Sequence, residues 1–400
     1  MMSVYGRVCV SECDGGAFMK KNWFHEVDLA FRQEFYTAGC LNKPLLFLLV
    51  LLPLVYTLLF GAAYSANVLN HIPLVVCDLQ QDSISRTLIA NYDTSDRFTV
   101  VKHVNSYEEM KDSLENGDAK VGLYIEPDVT KRIKKALPAE VGIYIEASNM
   151  VYGSASLVAS EEINLNLLVG GSQKILEHLS LYPDRALKTA YPAAMSVRIL
   201  NNPTNGYCNF MLLGLVCNGI QISLFLYAVD IFVKNKKEQW RYKSALLIGK
   251  LCAITLLSVS VFSLCLFLSR AIFAVPLRGA WYEFLFLETA FVFFFTCLGM
   301  FLSLLFPSPV LALQNVLLFV MPGLLYSGLS WPQEWLTRLP AVIRTIFPIT
   351  YLALPMRDLS LAGTSRLLSD DIGILVIGGL LLFILTFFLL KYRHWQEVQS

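Results

Sequence analysis

Charge is scarce in this sequence. Of 400 residues, 16% are Asp, Glu, Lys or Arg, against roughly 25% in soluble domains. The shortage is uneven and falls in a few long apolar runs. Together with 55% hydrophobic residues and a mean hydropathy of +0.54, it marks an integral membrane protein. Other absences close off classes of function. No basic stripe with interleaved aromatics occurs and the net charge is only +1, so nothing supports nucleic-acid binding. A glycine-rich phosphate loop is missing, because "LLIGK", ending at Lys250, lacks the earlier glycine. The five histidines, His25, His71, His103, His178 and His394, are scattered and form no catalytic constellation. No metal-ligand spacing occurs. The nine cysteines form no framework. Cys9, Cys13 and Cys40 precede the first apolar run. Cys217, Cys252, Cys265 and Cys297 lie within apolar runs, where cysteine serves as a small apolar filler. Only Cys77 and Cys208 reach the outside in the topology below, leaving a disulfide between them open. Asn202-Pro-Thr is not a glycosylation signal, because of its proline.

The apolar runs are what the chain does have. A spanning helix needs about 20 mostly apolar residues. Six runs qualify: Pro44–Ala66, Tyr207–Val233, Ser244–Ser269, Phe284–Phe306, Pro309–Ser327 and Ile372–Leu390. The first starts too far into the chain for a cleaved signal peptide and is expected to be a retained span. The loop "KNKKEQWRYK" carries Lys234, Lys236, Lys237, Arg241 and Lys243 against Glu238 alone, and the tail opens with Lys391 and Arg393. The positive-inside rule places both in the cytoplasm. Six spans then put the N-terminus inside as well, in agreement with Lys20, Lys21, Arg32 and Lys43. Arg270 and Arg278, on an outside loop, dissent mildly.

The fold class expected is therefore mainly α and membrane-integral: six transmembrane helices, with an α/β extracytoplasmic domain at 67–206 between the first and second. In that region "IPLVVCD", "RFTVVKHV", "KVGLYIEP" and "EVGIYIEAS" read as strands. "DSISRTLIANY" reads as a helix, and "SYEEMKDSLENGD" as another, with Ser106 as its cap, Glu109 at the third position and Gly117 ending it. Pro127 sits where a further helix begins, and the pattern is helical from Tyr152 to Leu181. Residues 1–43 form a cytoplasmic N-terminus. Within it Phe24, Val27, Phe31 and Phe35 recur at helical spacing, with Glu26, Arg32 and Gln33 off the stripe. This is an amphipathic helix at the interface, either anchored on the bundle or used for docking.

One stretch fits neither a span nor an ordinary loop: "YSGLSWPQEWLTRLPAVIRTIFPITYLALPMRDL", Tyr326–Leu359. Pro332, Pro340, Pro348 and Pro355 each remove a backbone donor and are expected to break helices. Trp331 and Trp335 suit a membrane interface. Within the fourth run, Glu288 stands roughly one turn inside. It either snorkels outward, or faces a translocation path, or pairs with Arg270 or Arg278.

One span, a large outer domain and five more spans resemble the ABC type-2 transporter permeases with a large extracytoplasmic loop. The stretches that carry the resemblance are "FRQEF…KPLLFLLVLLPLVYTLLFG", "VVCDLQQDSISRTLI", "NGDAKVGLYIEPDV" and the Ser-Gly…Pro…Pro…Pro-x-x-Tyr…Arg order within Tyr326–Leu359. The sequence departs from the family after the second run. The loop "VKNKKEQWRYKSALLIGK" keeps Gly249-Lys250 but is short and lacks the family's Gly-Thr pair.

The resemblance implies the transmembrane subunit of an ABC exporter, not itself an enzyme, moving an amphiphilic small molecule or lipid outward. It implies a re-entrant helical segment at 329–357 and a cytoplasmic tail at 392–400, in the plasma (inner) membrane with both termini cytoplasmic. No cofactor is expected on this chain, with ATP bound by separate ATPase subunits. Expected partners are those ATPases, a second permease subunit (identical or homologous), the lipid membrane and a periplasmic adaptor protein, with no nucleic acid. The expected ATPase contacts are Phe24, Phe31 and Phe35 with Lys237, Glu238, Gln239, Trp240 and Arg241. The expected path or outer gate comprises Glu288, Ser327, Leu329, Trp331 and Leu336. The rival reading is a receptor or assembly scaffold using the outer domain. An ion-coupled carrier would call for internal repeats and several mid-span charges, and neither is evident.

Overall fold

A computed structural model describes residues 23–39, 44–135, 140–178, 182–190, 198–234, 243–306 and 309–399. The chain divides into two compact units, Ala66–Gly206 and the remainder. Helix α1 (Trp23–Gly39) and helix α2 (Pro44–Ala63) open the larger unit.

The smaller unit is an α/β domain. Strand β1 (Ile72–Asp78), helix α3 (Ser83–Asp93), β2 (Phe98–Val104), α4 (Tyr107–Glu115), β3 (Val121–Ile125), α5 (Val129–Lys134), β4 (Val141–Ile145), α6 (Met150–His178) and α7 (Pro183–Ala190) follow in turn. The sheet order is β2-β1-β3-β4. The first three strands are parallel and β4 runs antiparallel to β3. Successive side chains on a strand alternate between faces, so β1 serves two cores. Ile72, Leu74 and Val76 pack with Tyr92 of α3 and with Ala159 of α6. Val75 and Cys77 pack with Met110 of α4 on the other face. Helices on both faces explain why β1 is apolar almost throughout.

Local chemistry sets the turns. Asp82 caps α3 by accepting from the Ile84 and Ser85 amides. Asp78 accepts from the Gln80 and Gln81 amides and, at 2.7 Å, from the Ser85 hydroxyl. The acidic start of the domain is thus a self-satisfied turn. Ser106 caps α4 through the Glu109 amide, and Gly117 takes the left-handed conformation (φ 81°) that ends it. The ends of the domain meet: a Cβ on Gly206 would lie 2.2 Å from Asn67 Oδ1. Such proximity is what allows insertion between two helices of another unit.

In the larger unit each of the six apolar runs is a helix. After α2 come α8 (Tyr207–Lys234), α9 (Lys243–Phe273), α10 (Trp281–Leu305), α11 (Pro309–Tyr326) and, last, α14 (Leu368–Gln399). Helix α14 continues well past the end of its apolar run, through the stretch expected as a tail. Among the described residues, α8, α9, α10 and α14 contain stretches long and apolar enough to cross a membrane. Helices α2 and α11 are shorter, at 20 and 18 residues. Where α8 meets α10, a Cβ on Gly299 would lie 2.3 Å from Ala228 Cβ. Small residues of this kind let helix backbones close up where lipid offers no hydrophobic drive.

Between α11 and α14 lies the broken segment. A single 3-10 turn at Gln333–Trp335 leads to α12 (Arg338–Ile343), a second such turn at Arg344–Ile346, and then α13 (Thr350–Leu361). The pieces 338–346 and 350–361 meet at 92°. Only two of the four prolines break helices. Pro332 precedes the first turn and Pro348 stands at the bend. Pro340 occupies the first turn of α12, where a missing donor costs little. Pro355 lies inside α13, a helix held at its far end by the contacts described below. Cys77 and Cys208 are both buried, and among the described residues no disulfide joins them.

The α/β unit supplies its own two cores, so a fragment spanning 67–205 should be soluble, give a mixed α/β circular-dichroism spectrum and melt cooperatively. An aggregated or unfolded fragment would contradict the assignment. Within it, the Ser148 hydroxyl and amide and the Lys120 ammonium hold the Glu146 carboxyl at about 2, below its usual 4.5; the Lys120 contact is 2.9 Å. A depressed carboxyl stabilises the fold above its unfolded pKa and loses that contribution as pH falls. The melting temperature of the fragment should therefore drop between about pH 4.5 and pH 2. Glu146→Gln should flatten that part of the profile, and an unchanged profile would remove the contact from the account.

Candidate coupling and transport sites

Helix α1 docks on α9 by close approach. A Cβ on Gly249 would lie 2.6 Å from both the Val27 carbonyl oxygen and Ala30 Cβ, so only glycine admits α1 there. The indole of Trp23 donates to Ser244 Oγ at 3.0 Å. Further along, Lys250 Nζ stands 3.2 Å from Glu34 Oε1, with side chains only 2% and 7% exposed. Tyr227 of α8 donates to the other oxygen, Glu34 Oε2, at 2.6 Å. One carboxylate thereby ties α1 to both α8 and α9. Removing one partner of a buried pair costs about 3–5 kcal/mol, because the other charge is stranded.

The expected stripe is not the buried face of α1. The buried face of α1 carries Glu26, Ala30 and Glu34. Val27 and Phe31 are half-buried at its edge, and Phe24 is 73% exposed. Close backbone contact at Gly249 selects a small residue on the facing helix, and the Lys250 ammonium selects a carboxylate. The rings are displaced from the centre. Lys237, Glu238, Gln239, Trp240 and Arg241 lie outside the described residues, as does the side chain of Phe35.

At the other end of α9 and α10, the broken segment is fixed to the bundle. The last four carbonyls of a helix lack partners within it, and α13 has all four satisfied. Asp358 O accepts from the Ala362 and Gly363 amides, Leu359 O from the Gly279 amide and Ser360 O from the Arg278 amide. Leu361 O accepts from the Arg278 guanidinium at 2.8 Å. A cation at a helix C-terminus is also favoured by the helix dipole. Arg278 therefore serves α13 and does not pair with Glu288. Ser360 Oγ returns a hydrogen bond to Pro276 O, and the Arg357 guanidinium sits 4.8 Å from the centroid of the Phe210 ring on α8.

The residues expected at the gate separate into two groups. Ser327 is buried, donates to Leu324 O and accepts from the Leu329 amide. Between them Gly328 adopts φ 86°. Leu329 is buried against α8, where a Cβ on Gly214 would lie 2.4 Å from it, so it belongs to the packed interior and lines no open face. Trp331 and Trp335 are exposed and meet edge to face at 6.1 Å. Leu336 is half-buried.

Glu288 neither snorkels nor pairs with an arginine. It is 1% exposed and accepts from Ser263 Oγ of α9 at 2.6 Å. Sequence reasoning passed over Glu34, Tyr227 and Lys250 as a group. The available signal was the spacing of Glu26, Ala30 and Glu34 on one helical face, matched by a lysine just inside an apolar run.

Comparison with known families matches residues 43–388 to the family described as ABC-2 family transporter protein. A search of curated proteins finds no match to this chain. The matched stretch runs from the start of α2 into α14 and takes in the α/β unit, so the chain belongs to the ABC-2 transporter family and is a multi-pass integral membrane protein.

Proposed function

We propose that this chain is the transmembrane permease subunit of an ATP-driven exporter. It pairs with an identical or homologous subunit, recruits two separate ATPase subunits that bind the ATP, and moves an amphiphilic small molecule or lipid outward. The observation that carries this reading is the buried Glu34–Lys250–Tyr227 cluster. A helix lying on the inner surface transmits the motion of a docked ATPase only if it is mechanically continuous with the bundle. The cluster and the Gly249 contact supply that continuity. Phe24, exposed on the outer side of α1, offers the ATPase an anchor, and the basic loop with Trp240 is the second contact.

Six spans fit this reading. Helices α2 and α11, at 20 and 18 residues, are about 30 and 27 Å long, near the hydrocarbon thickness of about 30 Å. Both termini are then cytoplasmic in the inner membrane, and the α/β domain is extracytoplasmic, where a periplasmic adaptor is a further partner. The 92° bend fits a segment that turns back towards the outer face, and Trp331 and Trp335 suit the interface.

The full chain purified in mild detergent should carry a subunit that hydrolyses ATP. Glu34→Gln and Lys250→Gln should leave insertion intact but bring permease-stimulated hydrolysis down towards the ATPase's own rate. Trp240→Ala should lose at least about 1–2 kcal/mol of association if it is an anchor. Full stimulation in all three variants would rule out this coupling surface. If no ATPase binds the wild-type chain, the receptor or scaffold reading replaces the exporter.

A further inference from the structure

The interior of the bundle holds a second polar group, distinct from the Glu34 cluster. Asn218 Oδ1 and Gln221 Oε1 on α8, and Ser258 Oγ on α9, are buried without a hydrogen-bond partner. Asn218, Gln221 and Ser258 are 3%, 1% and 1% exposed. Leaving such an atom unsatisfied costs about 1–3 kcal/mol.

Helix register sets two of these residues near the level of Glu288. Helices α8 and α10 run parallel, since the Phe225 and Phe295 rings meet at 5.3 Å and Ala228 meets Gly299. Seven residues are close to two helical turns. Stepping back by seven from the Phe225–Phe295 contact places Asn218 level with Glu288 on the facing sides. Gln221 follows about one turn deeper. Ser263 is already bonded to Glu288 from α9. Glu288 lies seven residues from the start of α10, or about 10 Å into the helix.

Two neutral carbonyl oxygens that lack a donor thus lie on α8 at, and one turn beyond, the level of one carboxylate. Among the described residues no lysine or arginine forms an ion pair with that carboxylate, and the buried Lys250 serves Glu34. An ionised carboxylate at this burial needs compensation. Oxygen donors select a hard cation, and a single negative charge among neutral ligands matches a single positive charge.

We propose that Glu288, Asn218, Gln221 and Ser263 form an intramembrane site for a monovalent cation, either an alkali-metal ion or a primary ammonium group. The site does not rest on the exporter reading, because its test needs no ATPase. The full chain in mild detergent is melted in sodium, potassium or n-hexylammonium chloride at constant ionic strength, with N-methylglucamine as the bulky reference. A ligand that binds only the folded state stabilises it in a saturable manner. At least one of the three cations should raise the melting temperature saturably above the reference. Glu288→Gln, which keeps the shape of the side chain, should abolish the rise, and Asn218→Ser should move its midpoint at least about tenfold higher in cation, a loss of about 1.4 kcal/mol. Isothermal titration of the wild-type chain should give binding of the same cation, so the outcome does not depend on a variant folding. A response to alkali ions assigns a resident ion, and a response to hexylammonium alone assigns the headgroup of a cargo. Identical melting in all four salts with no heat of binding, or a rise that persists in Glu288→Gln, would overturn the site.

Discussion

The Glu34 carboxylate, held between the Lys250 ammonium and the Tyr227 hydroxyl, is the contact on which the α1 end of the bundle depends. A carboxylate at that burial is tolerable only with both oxygens matched. Its partners stand on two different helices, so matching it fixes α1 against α8 and α9 together. Gly249 makes the arrangement geometrically available by letting the α1 backbone approach. Helix α1 is thus a structural member of the bundle, with the Phe24 ring exposed.

The same requirement governs the broken segment. The carbonyls at a helix end that packs into protein need partners from that protein. Here the loop that precedes α10 takes up the terminal carbonyls of α13, through the Gly279 and Arg278 amides and the Arg278 side chain. The segment can therefore bend by 92° without leaving its helix end open. Leu329 filling the space left by Gly214 adds an apolar lock on α8.

Much of this was legible in the sequence, for reasons that are local. Apolar runs become helices because the backbone must satisfy itself in lipid. The strands of the α/β unit follow from short apolar runs between capped helices, and Ser106 and Gly117 act where their chemistry places them. The family resemblance rested on the order of such stretches. What was not legible depends on tertiary approach. Hydrophobic periodicity singled out the phenylalanines of α1, whereas its contact with α8 and α9 runs through Trp23, the Val27 backbone, Ala30 and Glu34. Charge pairing suggested an arginine for Glu288, whereas Arg278 finds the partial charge of a helix end, which no count of side-chain charges reveals. Proline spacing showed that the segment near the end is broken, but not that α13 would run through Pro355 or that Leu329 would turn inward.

The central claim is that α1 is mechanically part of the bundle, and amide hydrogen exchange on the full chain in detergent tests it most directly. Amides of Ala30 to Glu34 should be protected to an extent comparable with those of α9 around Gly249. In Lys250→Gln they should exchange much faster while α9 and α10 stay protected. Rapid exchange along α1 in the unmodified chain, or protection that survives Lys250→Gln unchanged, would contradict it.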